Sequence, residues 1–239
     1  MHRRLSEVSF AIALGALLPL FAFAATTCAM AAEATIGDVP INLPAPAGFC
    51  ELSERNPPDN YVLTNTGAVV GKAGNKLLAM SAHCQQLDDW RAHRQPFLDD
   101  YGQYQTPLGQ MDQLVAAPEE TIAQSCASLR AQGEKIASDQ LPDMKAAFES
   151  TLQKIRLNET KFIGVFAEDK TACYAGLISK IQAESGTEKT QIVVFAVTVV
   201  RGKVVLIYRF AVYTGSDSVT TTLLTHLKGT VAAVYTANR

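Results

Sequence analysis

The feature that most restricts the fold is a change of hydrophobic period two-thirds of the way along the chain. Before residue 160, apolar side chains recur at helical spacing in several segments. After it they alternate or run without interruption. Segments 162–167, 173–182, 191–200 and 203–213 read as four strands with short connections. Segment 192–200 is almost wholly apolar, as a strand covered on both faces is. In the next strand Val204, Leu206, Tyr208, Phe210 and Val212 line one face, and Arg209 and Tyr213 the other. Val200-Arg201-Gly202-Lys203 fits a tight hairpin in which glycine supplies a positive φ. Ser216-Asp217 then caps a closing helix whose stripe is Val219, Leu223, Leu227, Val231 and Val234.

Upstream, residues 35–48 carry Pro40, Pro44 and Pro46 and read as an extended lead-in. Pro57-Pro58 marks a helix start, with a weak helix to about Val70 and a turn over 71–75. A strand ends at Cys84. A short helix over 85–94 follows, with Leu87 and Trp90 on one side. Residues 95–117 are rich in breakers and read as irregular, the place where function is expected. Pro118-Glu119-Glu120 opens a helix with Ile122, Cys126, Leu129 and Ile136 on its stripe. Pro142 is expected to interrupt it before a second stripe at Met144, Phe148, Leu152 and Ile155. The sum is an α+β fold: an antiparallel β-meander with flanking helices, in a single domain.

The N-terminus fixes the expected compartment. Met1-His2-Arg3-Arg4 is a short basic region, no charge occurs from Phe10 to Ala25, and Ala29-Met30-Ala31 fits a signal-peptidase site. Residues 1–31 therefore read as a signal peptide and 32–239 as the exported domain, periplasmic or secreted. Membrane attachment is expected only if that leader stays uncleaved. Cleavage removes Cys28 and leaves Cys50, Cys84, Cys126 and Cys173. Four cysteines in an oxidising space imply two disulfides. Cys50 and Cys84 lie in strand-like pieces that adjacency would join. Cys126 is on a helix stripe and Cys173 starts a strand, so that pair would tie helix to sheet. The spacings do not resemble zinc sites.

The formal net charge of -2 gives no handle for nucleic acid. The densest polar cluster spans 83–94, with His83, Asp88, Asp89 and His93. On a helix only Asp89 and His93 share a face, a spacing that suits an ion pair. No G-x-S-x-G occurs, and Gly67-Ala68-Val69-Val70-Gly71-Lys72 misses the phosphate-loop spacing. Arg209, in an otherwise apolar strand, is read as a snorkelling side chain on a solvated face or as a contact for an anionic ligand or partner. Three functions follow. The first is a non-enzymatic domain that binds a partner protein or envelope component. The second is a metal-dependent or hydrolytic enzyme using the 83–94 cluster. The third is a small-ligand binder using Trp90, Arg91, Tyr101 and Tyr104, provided that those aromatics line one cavity. No cofactor is implied.

The proline-rich entry "LPAPAGF" at 43–49, the meander with its "GK" hairpin and a closing helix that ends in Asn238 resemble the Mog1/PsbP-like α/β sandwich proteins. "KLLAMSAHC", "DDWR" and "GQY" (76–84, 88–91 and 102–104) resemble a group of uncharacterised exported proteins of alphaproteobacteria. The first resemblance implies a non-catalytic binding or assembly role. Neither supplies functional residues.

Overall fold

The computed structural model describes residues 32–95, 97–151, 155–183 and 186–239. The expected leader, 1–31, lies outside them. The described chain starts with a hairpin, β1 (Ala32–Ile36) and β2 (Val39–Leu43), where an extended lead-in is expected. The alternation missed there is short: Ile36, Ile41 and Leu43 point into the core, while Glu33 and Pro40 stay outside. β3 (Phe49–Glu51) leads to helix α1 (Pro57–Lys72), whose first turn is capped by Asn56 Oδ1 accepting from the Asp59 amide at 3.4 Å. The glycine–lysine stretch that imitates a phosphate loop lies inside this helix, so its amides are spent on helical hydrogen bonds.

β4 (Asn75–His83) is followed by α2 (Cys84–Arg91). Next comes β5 (Tyr101–Pro107), in the stretch expected to be irregular. β5 pairs antiparallel with β4 on one side and with the last strand on the other. A single helix, α3 (Pro118–Thr151), runs through Pro142 without a break. Proline there leaves the carbonyl of Ser138 without its helical donor. Ser138 is exposed, so water can satisfy that group, and the expected interruption does not occur.

β6 (Ile155–Glu168), β7 (Ala172–Ala183), β8 (Glu188–Val200) and β9 (Lys203–Val212) form the meander, and β6 takes Ile155 out of the expected second helical stripe, whose Leu152 lies outside the described residues. Arg201 (φ 50°) and Gly202 (φ 76°) make the hairpin between β8 and β9, both in the left-handed region that a type I′ turn requires. α4 (Asp217–Ala237) closes the chain. The large sheet is antiparallel throughout, in the order β3-β4-β5-β9-β8-β7-β6.

The two faces of this sheet are covered differently. On one face α4 lays Leu223, Leu227, Val231 and Val234 over Val194, Ala196, Val205 and Ile207, and the β1–β2 hairpin extends that cluster. Asn238 fastens the two: its Oδ1 accepts from the Asn42 amide at 2.8 Å, and its Nδ2 donates to the Asn42 carbonyl at 2.7 Å. The other face meets α1, α2 and α3. There the packing splits into two separate clusters, one around Ile122 and Cys126 and one around Met80, Ala82 and Leu87.

Both expected disulfides are present. Cys50–Cys84 joins β3 to the start of α2, and Cys126–Cys173 joins α3 to β7. Among the described residues, no helix is long and apolar enough to cross a membrane.

Candidate functional site

Between the two clusters lies a cavity of about 1110 Å³. Its floor is the sheet: Tyr101, Gln103 and Gln105 of β5, Leu206, Tyr208 and Phe210 of β9, and Gln191, Val193 and Phe195 of β8. α1 supplies one wall with Val62, Val69 and Val70. α3 supplies the other with Leu129, Ile136, Met144 and Phe148. Lys72 Nζ donates to Ser150 Oγ at 2.6 Å and joins the ends of those two helices. Trp90, Phe97 and Leu98 stand at one end.

The size decides what this space is. At this volume, and open to solvent on one side, it is no void left by imperfect packing but a space that solvent or a ligand fills. Ligand pockets span about 300–1,000 Å³ and are apolar with a few convergent polar groups.

The floor carries an aromatic run. Tyr101 stacks on Phe210 with centroids 4.4 Å apart, and Tyr208 stands 6.2 Å from Phe210 and 5.5 Å from Phe195. Set into it is a polar strip. Asn75 Nδ2 donates to Gln105 Oε1 at 3.3 Å, Gln105 Nε2 to Gln103 Oε1 at 2.8 Å, and the Tyr101 hydroxyl to Gln191 Oε1 at 3.5 Å. Gln103 and Gln191 are 7% and 6% exposed. Their amide nitrogens, like the Tyr208 hydroxyl, donate to no described residue, and all three side chains line the cavity. Among the described side-chain atoms, only Ser81 Oγ and Arg209 Nε are buried without a partner, so these two nitrogens and this hydroxyl stay open to the cavity, where solvent or an occupant can meet them.

No formal charge sits on the floor. Burial pushes the Tyr208 phenol up to about 12, and it raises Tyr101 as well, so both stay neutral near neutral pH. The charged side chains that line the cavity are Glu188 and Lys189, both at its edge. Lys189 is paired with Asp99, and its ammonium lies 5.5 Å from the centre of the Phe97 ring.

Of the residues singled out in the sequence, Trp90 and Tyr101 converge in this cavity. Tyr104 does not: it faces α4, 3% exposed, and its hydroxyl donates to the Pro44 carbonyl at 2.5 Å. Strand alternation sends neighbours 101 and 104 to opposite faces. Arg91 is structural. It grips Asp59 with Nε to Oδ1 at 2.9 Å and Nη2 to Oδ2 at 2.6 Å, which locks α2 to α1. Asp59 is fully buried and also accepts from the Ser53 amide. Arg91→Ala strands that carboxylate, and urea unfolding is expected to show a loss of about 3 kcal/mol.

Arg209 is not on a solvated face. It is 1% exposed, on the sheet face opposite the cavity. Its Nη2 reaches Asp100 Oδ1 at 2.9 Å, and its guanidinium lies 4.0 Å from the centre of the Phe49 ring. Gly102 makes room for it, since a Cβ there would stand 3.2 Å from Arg209 Cδ.

The 83–94 cluster divides into ion pairs. Asp89 bonds Arg94 at 2.6 Å in place of the expected His93, because α2 ends at Arg91 and His93 has φ 56°, outside the helical register. Asp88 faces Arg91 at 3.5 Å, and His83 packs edge-on against Phe49. Among the described residues no group of three or more His, Cys, Asp or Glu side chains is placed to share a metal ion.

Sequence reasoning missed Gln103, Gln105, Gln191 and Tyr208. The available signal was Tyr101-Gly102-Gln103-Tyr104-Gln105, where alternation puts both glutamines on the face of Tyr101.

No protein-family model matches the chain, and no curated protein sequence matches it. Among solved structures it is similar to the Saccharomyces cerevisiae Ran-binding protein Mog1p, at 11% identity over 86% of this chain and 90% of that one. The TM-score is 0.29, a distant resemblance to the Mog1/PsbP-like fold.

Proposed function

We propose that this is an exported, non-catalytic binding protein whose cavity holds a small apolar component of the cell envelope. One observation carries the reading: a large, mostly apolar space, floored by stacked aromatics and lined by the amides of Gln103 and Gln191. The apolar leader and the two disulfides support a periplasmic or secreted site of action. The geometry favours a small ligand over a protein partner. Among the described residues the large apolar side chains exposed away from the cavity are Leu108 and Leu114, whereas the cavity gathers its apolar surface from α1, α3 and the sheet. An enzyme built on 83–94 has less support, because its aspartates are engaged by arginines.

Trp90 is the chain's one tryptophan and lines the cavity, which makes it a built-in reporter. Titration with N-phenyl-1-naphthylamine is expected to quench Trp90 saturably at one dye per chain. Dye fluorescence that rises only in proportion to added dye, with Trp90 unchanged, would contradict the reading.

A further inference from the structure

Resting on that reading, we propose that the ligand is an amphiphile whose polar group is uncharged, read by Gln103, Gln191 and Tyr208 on the cavity floor. The placement of these groups sets the class. Gln103 lies directly opposite Tyr208 across β5 and β9. Tyr101 lies opposite Phe210 in the same way, and its hydroxyl reaches on to Gln191 in β8. Gln191 itself pairs with Val212, four residues along β9 from Tyr208 and roughly 13 Å away, so Gln103 with Tyr208 and Tyr101 with Gln191 form two separate polar spots on either side of the Phe210 ring. A ligand lying along Phe210 would place its hydroxyl, ester or amide at one of them.

The chemistry of those spots is neutral and two-sided. An amide offers donors and acceptors, and a phenol does the same. An alcohol, ester or carboxamide group is satisfied by such partners. A carboxylate or quaternary ammonium would lose its hydration on a floor that holds no opposite charge. The nearest cation, Lys189, is committed to Asp99 at the edge. A carboxylate would have to displace that acid first. The remaining surface, from Leu206 and Phe195 to Ile136 and Met144, is apolar and suits a hydrocarbon body.

The test is competition against N-phenyl-1-naphthylamine at neutral pH with four matched twelve-carbon compounds: dodecanamide, 1-dodecanol, dodecanoate and dodecyltrimethylammonium. The two neutral compounds are expected to displace the dye at concentrations at least about tenfold lower than the two ions, a difference of 1.4 kcal/mol. Gln103→Leu with Gln191→Leu is expected to erase that preference, since an apolar replacement of similar shape removes two of the polar readers and keeps the cavity apolar. Equal affinity across the series, or preference for either ion, overturns the proposed head group while the cavity reading stands. So does a preference that survives in the double variant. If that variant fails to fold, the wild-type series decides alone. Absence of dye binding is the separate result that removes the underlying reading.

Discussion

Replacing Cys126 and Cys173 together by alanine is expected to lower the unfolding temperature by about 8–16 °C. The bridge closes a sequence separation of 47 residues. On the chain-entropy model a loop of that length contributes about 4 kcal/mol, and for a chain of this size each kcal/mol shifts the midpoint by roughly 2–4 °C. The pair is also wholly buried among Ile122, Val199 and Val204, so removing the sulfurs opens a gap in that cluster. Calorimetry with and without reductant checks the cause: reduction opens both bridges of the wild type but only Cys50–Cys84 of the variant, so the midpoint should fall further in the wild type and the two reduced proteins should melt close together. The effect reaches the site, because this bridge pins the start of α3, the helix that walls the cavity. The variant should therefore bind the dye more weakly as well as melt earlier.

The second large effect is a loss of binding without a loss of stability. Ala137 of α3 and Val193 of β8 face the cavity from opposite sides. In a well-packed core, Ala137→Trp with Val193→Phe would be destabilising, since overpacking costs about 1–3 kcal/mol per site. Here the added rings have space and bury apolar surface at about 25 cal/mol per Å². The variant is expected to unfold at the wild-type temperature or a few degrees above it, and to bind dye at least about tenfold more weakly. Stability and binding thus move in opposite senses, which happens only if the lost volume is a site and not part of the core.

The meander, its hairpin and the closing helix were legible because their apolar spacing is long and regular. The Cys126–Cys173 pairing followed from a helix stripe and a strand of the meander, and the Cys50–Cys84 pairing from two short strand-like pieces upstream. β5 was not legible. Its segment, Tyr101-Gly102-Gln103-Tyr104-Gln105-Thr106-Pro107, alternates polar and aromatic residues between breakers, so it lacks the apolar signature of a central strand. The reason is functional in form: Gln103 and Gln105 face the cavity instead of a hydrocarbon core.

β9 shows the same inversion more sharply. Composition assigns the face with Leu206, Tyr208 and Phe210 to the core and the face with Arg209 to solvent. In the structure Arg209 and Lys203 are each 1% exposed, while Leu206, Tyr208 and Phe210 keep accessible surface in the cavity. Arg209 is held by Asp100 through Nη2 and by the Phe49 ring, though its Nε is buried without a hydrogen-bond partner, and Lys203 is held by the Met111 carbonyl. Those partners are 90 or more residues away in sequence, and no local pattern reveals them. Pro142 is the third case. A helix-breaking residue is tolerated at an exposed position because the carbonyl it frees can turn to water.

The most direct test is a crystal structure of residues 32–239 grown with dodecanamide. The account predicts one molecule beneath α3, its carboxamide within hydrogen-bond distance of Gln103, Tyr208 or Gln191 and its chain along Phe210 and Phe195. Ile136 and Met144 packed directly onto Leu206 and Tyr208, with no space between helix and sheet, would contradict it.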